Sequence, residues 1–437
     1  MNAKVGNKRW IIVTLMLLSY AVMYISRTSM SIAGPVMMKD FNWSATQFGL
    51  VSTAFFIGYA LTMMPAGYLA DRFGSGKIMV FGILLYSLFT FLTPFGATIG
   101  MLILLRAIVG IGQGVILPCN GSLLAQWVPK KESATAQGVV MIGTPMGITL
   151  TMPLAIFFMQ NYNWQTVFYA FAFLGPIWIL LWSRLGKNKP ELHPSISKEE
   201  VEYIKNDQGP VEISGAAAAV APGDVFKNVS VWTSALAYFT SNYLFFLFFA
   251  WLPTYFVNGR GFTLVKSGYM TMIPYMFAMI AYPLGGILAD KAAKKFGNNM
   301  GRKLYPVIGL IGAGVFLILG TRVGSAEGAI MLITISIFFL SITQAPFFSM
   351  PPIFSSKNAG KIIGLYGFCG TCAGLSAPIL TGAIIDYTKS YDYAMYFGSA
   401  VAIVGALILL TICTVKAVES KTYVGISQST TDMNSRN

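Results

Sequence analysis

Twelve apolar stretches follow one another along this chain, and each is long enough to cross a lipid bilayer. A helix that crosses the ~30 Å hydrocarbon core needs about 20 residues at a rise of ~1.5 Å per residue. The stretches therefore predict an all-α membrane protein with twelve transmembrane helices. We expect these spans near residues 10–35, 46–70, 78–97, 100–125, 134–159, 165–183, 231–256, 266–289, 304–321, 328–354, 361–385 and 392–415.

The composition indicates that the surroundings of this chain are a lipid bilayer. Of the 437 residues, 55% are hydrophobic and 11% are charged, whereas soluble domains carry roughly 25% charged residues. Cys369 and Cys372 have the spacing of a redox motif, but they lie among small residues in an apolar stretch, where helix packing explains them better. The single histidine, His193, lies in a loop, so we expect no metal site and no cofactor.

The basic residues predict the orientation of the chain. The formal net charge of +14 would suggest a nucleic-acid partner on a soluble domain, but here the lysines and arginines lie between apolar stretches. If the N-terminus is inside the cell, 23 of the 30 basic residues fall on the cytoplasmic side and five fall outside. Because positive charge accumulates on the inner side, we expect a multi-pass protein of the inner or plasma membrane, with both termini cytoplasmic and no nucleic-acid partner.

A long polar segment divides the chain into two halves with six spans each. We predict a six-helix bundle at 1–186, a cytoplasmic linker at 187–230, a second six-helix bundle at 231–417 and a disordered cytoplasmic tail at 418–437. Within the linker, Ser197 and Glu200 have the spacing of a helix capping box. The sequence GYLADR at 67–72 returns 219 residues later as GILADK. Two such repeats predict a transporter with its site between the halves, near the middle of the membrane.

Arg27 is the residue that most directly predicts a function. It lies two-thirds of the way along the first span, where a charged side chain costs ~3 kcal/mol or more. Tyr24 and Ser31 lie three and four residues away, on the same helical face. This polar stripe predicts contact with a polar, anionic group. The alternative is an arginine whose side chain reaches back to the lipid headgroups.

The fourth span carries a second buried arginine, Arg106. Gln113 and Asn120 follow at intervals of seven residues, so the arginine and the two amides share one helical face. Gly110 and Gly114 would allow a neighbouring helix to come close. The alternatives are that the amides only bridge helices and that Arg106 forms a structural pair with a carboxylate elsewhere in the bundle.

The positions of the acidic residues bear on whether Arg106 forms a structural pair with a carboxylate. Every Asp and Glu of the chain lies at the end of a predicted span, in a loop or in a terminal segment. Two arginines inside the membrane therefore have no acid inside the membrane to neutralise them, and polar groups alone do not cancel a buried charge. We infer that the missing negative charge belongs to the substrate. Arginine suits this role because its planar group binds carboxylate or phosphate through two parallel hydrogen bonds.

The chain resembles the major facilitator superfamily over essentially its whole length. The segment GYLADRFGSGK at 67–77 is similar to the loop motif of that superfamily, although Ser75 and Gly76 replace its usual basic pair. Further stretches resemble the anion:cation symporter family of sugar-acid and sialin-type transporters, namely YISR at 24–27, AFFIGY at 54–59, PAG at 65–67, WVP at 127–129, WLPTY at 251–255 and HPSISKEE at 193–200. The resemblance implies a symporter that moves a small organic anion by alternating access.

The resemblance also implies roles for individual residues. Tyr24, Tyr59, Arg27 and Arg106 match positions that line the substrate site in relatives, and Asp71, Arg72 and Asp290 match the loop motif that latches one conformation. For the second half we nominate four further substrate-binding residues, Asn242, Tyr243, Gln344 and Phe348. Hydroxyl and amide groups around paired arginines suit a sugar acid such as an aldonate, an aldarate or a hexuronate. We expect a monomer.

Two positions depart from the pattern of the resembling symporters. These carry an acid just before the first-span arginine and another on the fourth span, where this chain has Ser26 and Gln113. Neither side chain can hold a titrating proton, so the coupling ion, proton or sodium, stays open, as do anion exchange and facilitated movement.

The alternative function is an organophosphate/phosphate-type anion exchanger or a uniporter. A receptor would need a signalling domain, and we find no catalytic constellation for an enzyme.

Overall fold

The computed structural model describes residues 6–207, 226–355 and 358–418, which form helices and no strands. The first half contains the helices Lys8–Asp40, Ala45–Phe73, Ser75–Leu92, Ile99–Gly114, Ile116–Trp127, Lys130–Met141, Gly143–Asn161, Trp164–Ala172 and Leu174–Leu185. The helix Lys198–Asp207 follows, and the second half contains Val229–Thr254, Leu264–Arg322, Ala326–Ile342, Gln344–Ser349, Pro351–Phe354, Ala359–Thr388 and Tyr391–Thr411. Short turns of other helix types lie at Thr93–Phe95, Pro190–Leu192 and Tyr255–Gly259.

The longest helix, Leu264–Arg322, consists of two membrane spans. Its 59 residues would form a rod of ~90 Å at 1.5 Å per residue, about three times the thickness of the hydrocarbon core. Gly297 interrupts the helical backbone with φ +76° and ψ 168°. Glycine reaches this region without the steric cost that a side chain would bring. The sequence predicts a loop between residues 289 and 304, whereas the chain stays helical up to this single turn.

The spans therefore number twelve in the described part of the chain, as the sequence predicts. Eleven stretches are long and apolar enough to cross a membrane, and the one that contains Gly297 crosses it twice. Within some spans a single residue separates two helices, as Val115 does in the fourth span. Because Val115 keeps a right-handed helical backbone, Ile99–Trp127 remains one span. The protein is an all-α membrane protein whose twelve helices form two six-helix bundles.

Glycines allow the second and fourth spans to pack with their backbones almost in contact. A Cβ atom on Gly58 would overlap the carbonyl oxygen of Ala107, and one on Gly110 would overlap that of Phe55. A Cβ on Gly114 would overlap the hydroxyl oxygen of Thr62. Close approach of this kind is typical of helix pairs in membranes. It confirms the role predicted for Gly110 and Gly114, and it brings Phe55 next to the arginine-bearing span.

Both ends of the described chain lie on the same face of the bundle. At the start of the first span, Arg9 pairs with Glu132 of the segment between spans four and five. At the other end of the chain, the backbone nitrogen of Thr414 donates to the hydroxyl of Ser230, at the start of span seven, over 2.9 Å. We call this side the terminal face and the other side the opposite face.

The two halves are joined near the opposite face. The carboxylate of Asp386, at the end of span eleven, accepts hydrogen bonds from the backbone nitrogens of Ala45, over 3.0 Å, and Thr46, over 2.7 Å. These nitrogens are free because they begin the second span, and the helix dipole favours a negative charge there. Gly382 packs against the carbonyl of Ala45, and Ser31 donates to the carbonyl of Phe249 across the same interface. These contacts hold the two halves together on the side of the opposite face.

The linker helix Lys198–Asp207 is fastened to the first span by a buried carboxylate. The hydroxyl of Ser197 accepts a hydrogen bond from the backbone nitrogen of Glu200 over 3.1 Å, which is one half of the predicted capping box. The carboxylate of Glu200 accepts from the backbone nitrogens of Lys8 and Arg9, both over 3.1 Å, and pairs with the Arg9 guanidinium. It binds there because the first turn of the first span offers free N–H groups.

This attachment predicts that Glu200→Ala will release the linker helix. Hydrogen bonds to a charged group contribute about 1.5–3 kcal/mol each, so amide hydrogen exchange in residues 198–207 should accelerate by at least about tenfold. Mass spectrometry of the detergent-solubilised protein measures this rate. Glu199→Ala is the matched control, because the neighbouring Glu199 side chain is exposed. Equal exchange in the two variants would contradict a fastening role for Glu200.

Some predicted segments lie outside the described residues. These are residues 208–225 of the predicted linker and residues 419–437 of the predicted tail. Val418 is described, and its backbone nitrogen donates to the carbonyl of Phe354 over 2.9 Å. The boundaries 1–186, 187–230, 231–417 and 418–437 stay predictions.

Candidate functional site

Arg27 lies inside the bundle and does not reach the lipid headgroups. Only 4% of its surface is exposed, and its Nε donates to the side-chain oxygen of Gln113 over 3.1 Å. Gln113 in turn donates to the backbone carbonyl of Met23 over 3.3 Å, which fixes its orientation. One terminal nitrogen of Arg27 has no hydrogen-bond partner among the described residues. The side chain therefore retains a free donor that points into the bundle.

Aromatic rings surround the Arg27 guanidinium. Its Cζ atom lies 4.4 Å from the ring centre of Phe55, 4.8 Å from that of Tyr24 and 5.1 Å from that of Tyr59. The faces of aromatic rings attract cations, by up to ~2 kcal/mol per pair when water is absent. Tyr24 and Tyr59 thus lie beside Arg27, where the sequence predicts them, whereas Phe55 is a further member of the site.

Arg106 has more nitrogens without a hydrogen-bond partner among the described residues than Arg27 has. It is 2% exposed, and its Nε and one terminal nitrogen have no hydrogen-bond partner in the described part of the chain. Its Cζ atom lies 5.5 Å from the ring centre of Phe55. Since Arg27 contacts the same ring at 4.4 Å, the two Cζ atoms are no more than about 10 Å apart. A single small ligand can therefore reach both guanidiniums.

No carboxylate of the described residues forms an ion pair with either arginine. The salt bridges in that part of the chain connect residues at span ends and in the segments between spans, such as Arg9 with Glu132 and Arg302 with Asp290. A buried charge without a partner is strongly unfavourable, and donors left unsatisfied cost ~1–3 kcal/mol each. A structural pair with an acid therefore does not explain Arg106, and the arrangement is suited to hold an anion.

Arg27 and Arg106 line one cavity between the two halves, which we call the arginine cavity. Its free volume is about 20 Å³, which is room for about one water molecule. An organic anion does not fit until the halves move apart. Other residues that line the cavity are Met30, Ser31, Ser52, Phe55 and Phe56 from the first half and Phe246, Phe249, Ala250 and Pro378 from the second half.

Asn120 and Ser26 make contacts inside the first half. The amide nitrogen of Asn120 donates to the hydroxyl of Ser19 on the first span over 3.0 Å, and its oxygen has no partner among the described residues. Ser26 shares a 2.9 Å hydrogen bond with Thr90 of the third span. Asn120 therefore bridges two helices with its nitrogen and keeps one free acceptor, while Ser26 turns away from Arg27.

Three predicted residues of the second half gather around one turn of span seven. The amide nitrogen of Asn242 donates to the carbonyl of Tyr238 over 2.9 Å, and that of Gln344 donates to the hydroxyl of Ser241 over 3.1 Å. Phe348 contacts the Tyr238 ring with 5.5 Å between the ring centres. Tyr238 also packs in the hydrophobic cluster that contains Tyr24 and Tyr59. This turn of span seven and the two tyrosines of the first half thus belong to one core.

Tyr243 does not join that group. Its ring is 5.9 Å from the ring of Phe397 on span twelve and 6.3 Å from that of Phe239. A helix places consecutive residues about 100° apart, so Tyr243 faces away when its neighbour Asn242 faces the cavity region. The geometry gives no support to the prediction that Tyr243 binds substrate.

The residues predicted to act as a latch lie on the terminal face. Asp290 pairs with Arg302 of its own half. The guanidinium of Arg72 lies over the ring of Phe73 with 5.3 Å between Cζ and the ring centre. The backbone of Asp71 belongs to the helix Ala45–Phe73, and its side chain lies outside the described part. A role of the three residues as a latch stays a prediction.

Comparison with known proteins identifies the family. The sequence model of the Major Facilitator Superfamily matches residues 16–359. The chain belongs to this superfamily. Its members are transporters, so this major facilitator protein is a membrane transporter and not an enzyme.

Relatives of this transporter carry names that describe anion transport. A probable sulfoacetate transporter of Cupriavidus necator is 30% identical over 414 residues, which cover 94% of this chain and 95% of that protein. A hexuronate transporter of Bacillus subtilis is 28% identical over 409 residues, covering 91% and 93%. Human sialin is 28% identical over 376 residues, covering 84% and 76%. The predicted resemblance to the anion-transporting branch of the superfamily is confirmed.

Solved structures show the same fold. A bacterial homolog of the human lysosomal transporter Spinster, in an inward-facing and occupied conformation, superposes with a TM-score of 0.73 at 17% identity and covers 93% of this chain and 97% of that one. A D-xylose–proton symporter also gives a TM-score of 0.73, at 14% identity, and covers 95% and 100%. At these identities the likeness concerns the fold alone.

Sequence reasoning did not find Phe55 and Tyr238 as members of the site. Phe55 precedes Tyr59 by four residues and so shares its helical face, a spacing that could have indicated it. Tyr238 precedes Asn242 by the same interval. Aromatic residues are common in apolar spans as packing residues, so neither one differs from its surroundings in the sequence.

Proposed function

We propose that this protein is a secondary transporter that moves a small organic anion across a membrane by alternating access. The proposed substrate is a sugar acid, namely an aldonate, an aldarate or a hexuronate, and Arg27 and Arg106 bind its carboxylate. Relatives named for hexuronate and sulfoacetate support the anionic substrate class. The same proposal gives Tyr59 and Gln113 the task of holding Arg27 in place.

One observation carries this proposal. Two buried guanidiniums with unsatisfied donors face the same aromatic ring, and no carboxylate of the described chain pairs with them. A bound carboxylate would supply both the missing charge and the missing acceptors, through charge-assisted hydrogen bonds. Because the arginine cavity lies between the halves, a bound anion would contact both halves, as alternating access requires.

The distribution of basic residues supports a location in the inner or plasma membrane with the terminal face in the cytoplasm. In that orientation the hydrogen bonds at Asp386 lie on the outside, so the halves would have to part on the terminal face for substrate to be exchanged with the cytoplasm. A proton or a sodium ion would drive uptake. Since Ser26 and Gln113 cannot titrate, a proton would have to travel on the substrate or on a group outside the arginine cavity.

Transport assays in proteoliposomes test the proposed function. Purified protein should take up radiolabelled D-gluconate or D-glucuronate, and an excess of the unlabelled acid should compete. Uptake that requires phosphate inside the vesicles would favour the alternative, an organophosphate/phosphate-type exchanger, and uptake without any ion gradient would favour a uniporter. No uptake of either acid, together with uptake of sugar phosphates, would overturn the assignment to sugar acids.

A further inference from the structure

A second cavity lies next to the arginine cavity. It is formed by spans five, seven, eight and ten and therefore also lies between the halves. Its lining residues include Tyr275, Tyr282, Thr144 and Ser341, which carry hydroxyl groups, so we call it the tyrosine cavity. Its free volume of about 10 Å³ is smaller than that of the arginine cavity. Both spaces would widen together when the halves separate.

Two stacked rings on span seven form the partition between these cavities. Phe245 lines the tyrosine cavity and Phe249 lines the arginine cavity. Their ring centres are 6.1 Å apart with an angle of 19° between the rings. Phe249 also contacts Tyr24, whose ring lies over the Arg27 guanidinium. A change of side-chain conformation in this pair would therefore alter the space between the two cavities.

Tyr275 gives the tyrosine cavity a free polar group. The residue is 3% exposed, and its hydroxyl has no hydrogen-bond partner within the described chain. Buried hydroxyls without a partner are rare because they have lost their hydrogen bonds to water. Tyr275 also packs in one hydrophobic cluster with Phe249 and Tyr24. The hydroxyl is therefore placed to meet a ligand group close to the arginines.

The lining of the tyrosine cavity has no charged side chain. The lining residues that carry no hydroxyl group are apolar, and they include Phe245 and Phe248. A carboxylate in this cavity would be buried without a cation or an ordered set of donors, which is strongly unfavourable. A carbon chain or ring with hydroxyl groups would instead bury its C–H surface against the rings and bond to the tyrosine hydroxyls.

We propose that the tyrosine cavity is a second subsite, which takes the uncharged, hydroxyl-bearing end of the anion whose carboxylate is bound by Arg27 and Arg106. This subsite makes the protein selective for hydroxylated monocarboxylates over dicarboxylates of the same length. The inference rests on the proposed function and narrows it from three sugar-acid classes to aldonates and hexuronates. An aldarate would place its second carboxylate among uncharged groups.

The test compares D-gluconate with D-glucarate, which differ at one end only. Isothermal titration of the detergent-purified wild-type protein should show at least about tenfold weaker binding of D-glucarate. Tyr275→Phe removes only the free hydroxyl and should weaken D-gluconate binding by about tenfold, the value of one good hydrogen bond. It should change D-glucarate binding by less than about twofold, because that acid does not use the subsite.

Tyr269→Phe is the matched control, since Tyr269 lies on the same span with an exposed ring. It should leave both affinities unchanged. Equal affinity of the wild-type protein for the two acids, or tighter binding of D-glucarate, would overturn the subsite and leave the arginine site intact. Unchanged D-gluconate affinity in Tyr275→Phe would also overturn the subsite. If wild-type protein binds neither acid nor D-glucuronate, the proposed function itself fails. The wild-type comparison decides the question even if the variant does not fold.

Discussion

Replacement of Arg27 or Arg106 by alanine is expected to abolish uptake of the anion while the protein still folds and inserts. Removal of one partner from a buried charge pair costs about 2–5 kcal/mol, so uptake at low substrate concentration should fall by roughly 30-fold or more. When substrate is absent, the buried charge of either arginine has no ionic partner within the described chain and does not favour the folded state. Its removal should therefore not destabilise the protein. Radiolabel uptake in proteoliposomes measures the first effect, and size-exclusion profiles in detergent measure the second.

The two lysine variants sharpen this prediction. Lysine keeps the charge but presents an ammonium group in place of a planar pair of donors. If the carboxylate is held by two parallel hydrogen bonds, Arg27→Lys and Arg106→Lys should also fail to transport. Arg184→Ala is the control, because Arg184 is exposed at the end of its helix and should not matter for uptake. Normal uptake by both alanine variants would mean that the anion meets other groups.

The second large effect is expected at Asp386, on the opposite face. Asp386→Ala removes both hydrogen bonds that the carboxylate accepts from Ala45 and Thr46 across the halves. Hydrogen bonds to a charged group contribute about 1.5–3 kcal/mol each, so the population open to the opposite face should rise by about tenfold or more. The conformational equilibrium would shift without any change at the arginines.

Chemical labelling can measure that shift. Ser52 lines the arginine cavity, so Ser52→Cys in a protein whose four native cysteines are replaced by serine reports on access to it. A membrane-impermeant maleimide added from the opposite face should react about tenfold faster in Asp386→Ala than in its parent. Asp392→Ala is the matched control, because Asp392 begins span twelve near the same face. An unchanged rate would show that the glycine contacts close this face without help from Asp386.

The fold could be predicted almost completely from the sequence, because the bilayer imposes a length and a polarity on every span. The boundary between spans eight and nine is an exception. A charged loop was expected after residue 289, but lysines and arginines are good helix formers, and only Gly297 breaks the helix. The partner of Glu200 was also missed, since contacts between residues almost 200 positions apart leave no local pattern.

The grouping of the candidate site residues could be predicted for the first half and only partly for the second, and their role in binding stays a prediction. Arg27, Arg106 and Gln113 differ from their apolar surroundings by charge or polarity, so their spacing along the helices was informative. Tyr24 lies three residues from Arg27 on the same helical face, whereas Tyr59 depended on the family resemblance. In the second half the direction of a side chain decides its role, and a hydroxyl or an amide is not rare enough to reveal that direction. Tyr243 therefore received the same prediction as Asn242, although the structure places it against Phe397.

The unpaired arginines have a consequence for what the empty transporter lets through. Two fixed positive charges stand close together at the constriction between the halves, in a space with room for little more than one water molecule. Such charges raise the electrostatic barrier for every cation that would pass. The unloaded protein is thus built against leakage of protons and sodium ions, so the gradients that energise the membrane would not dissipate through it between transport cycles.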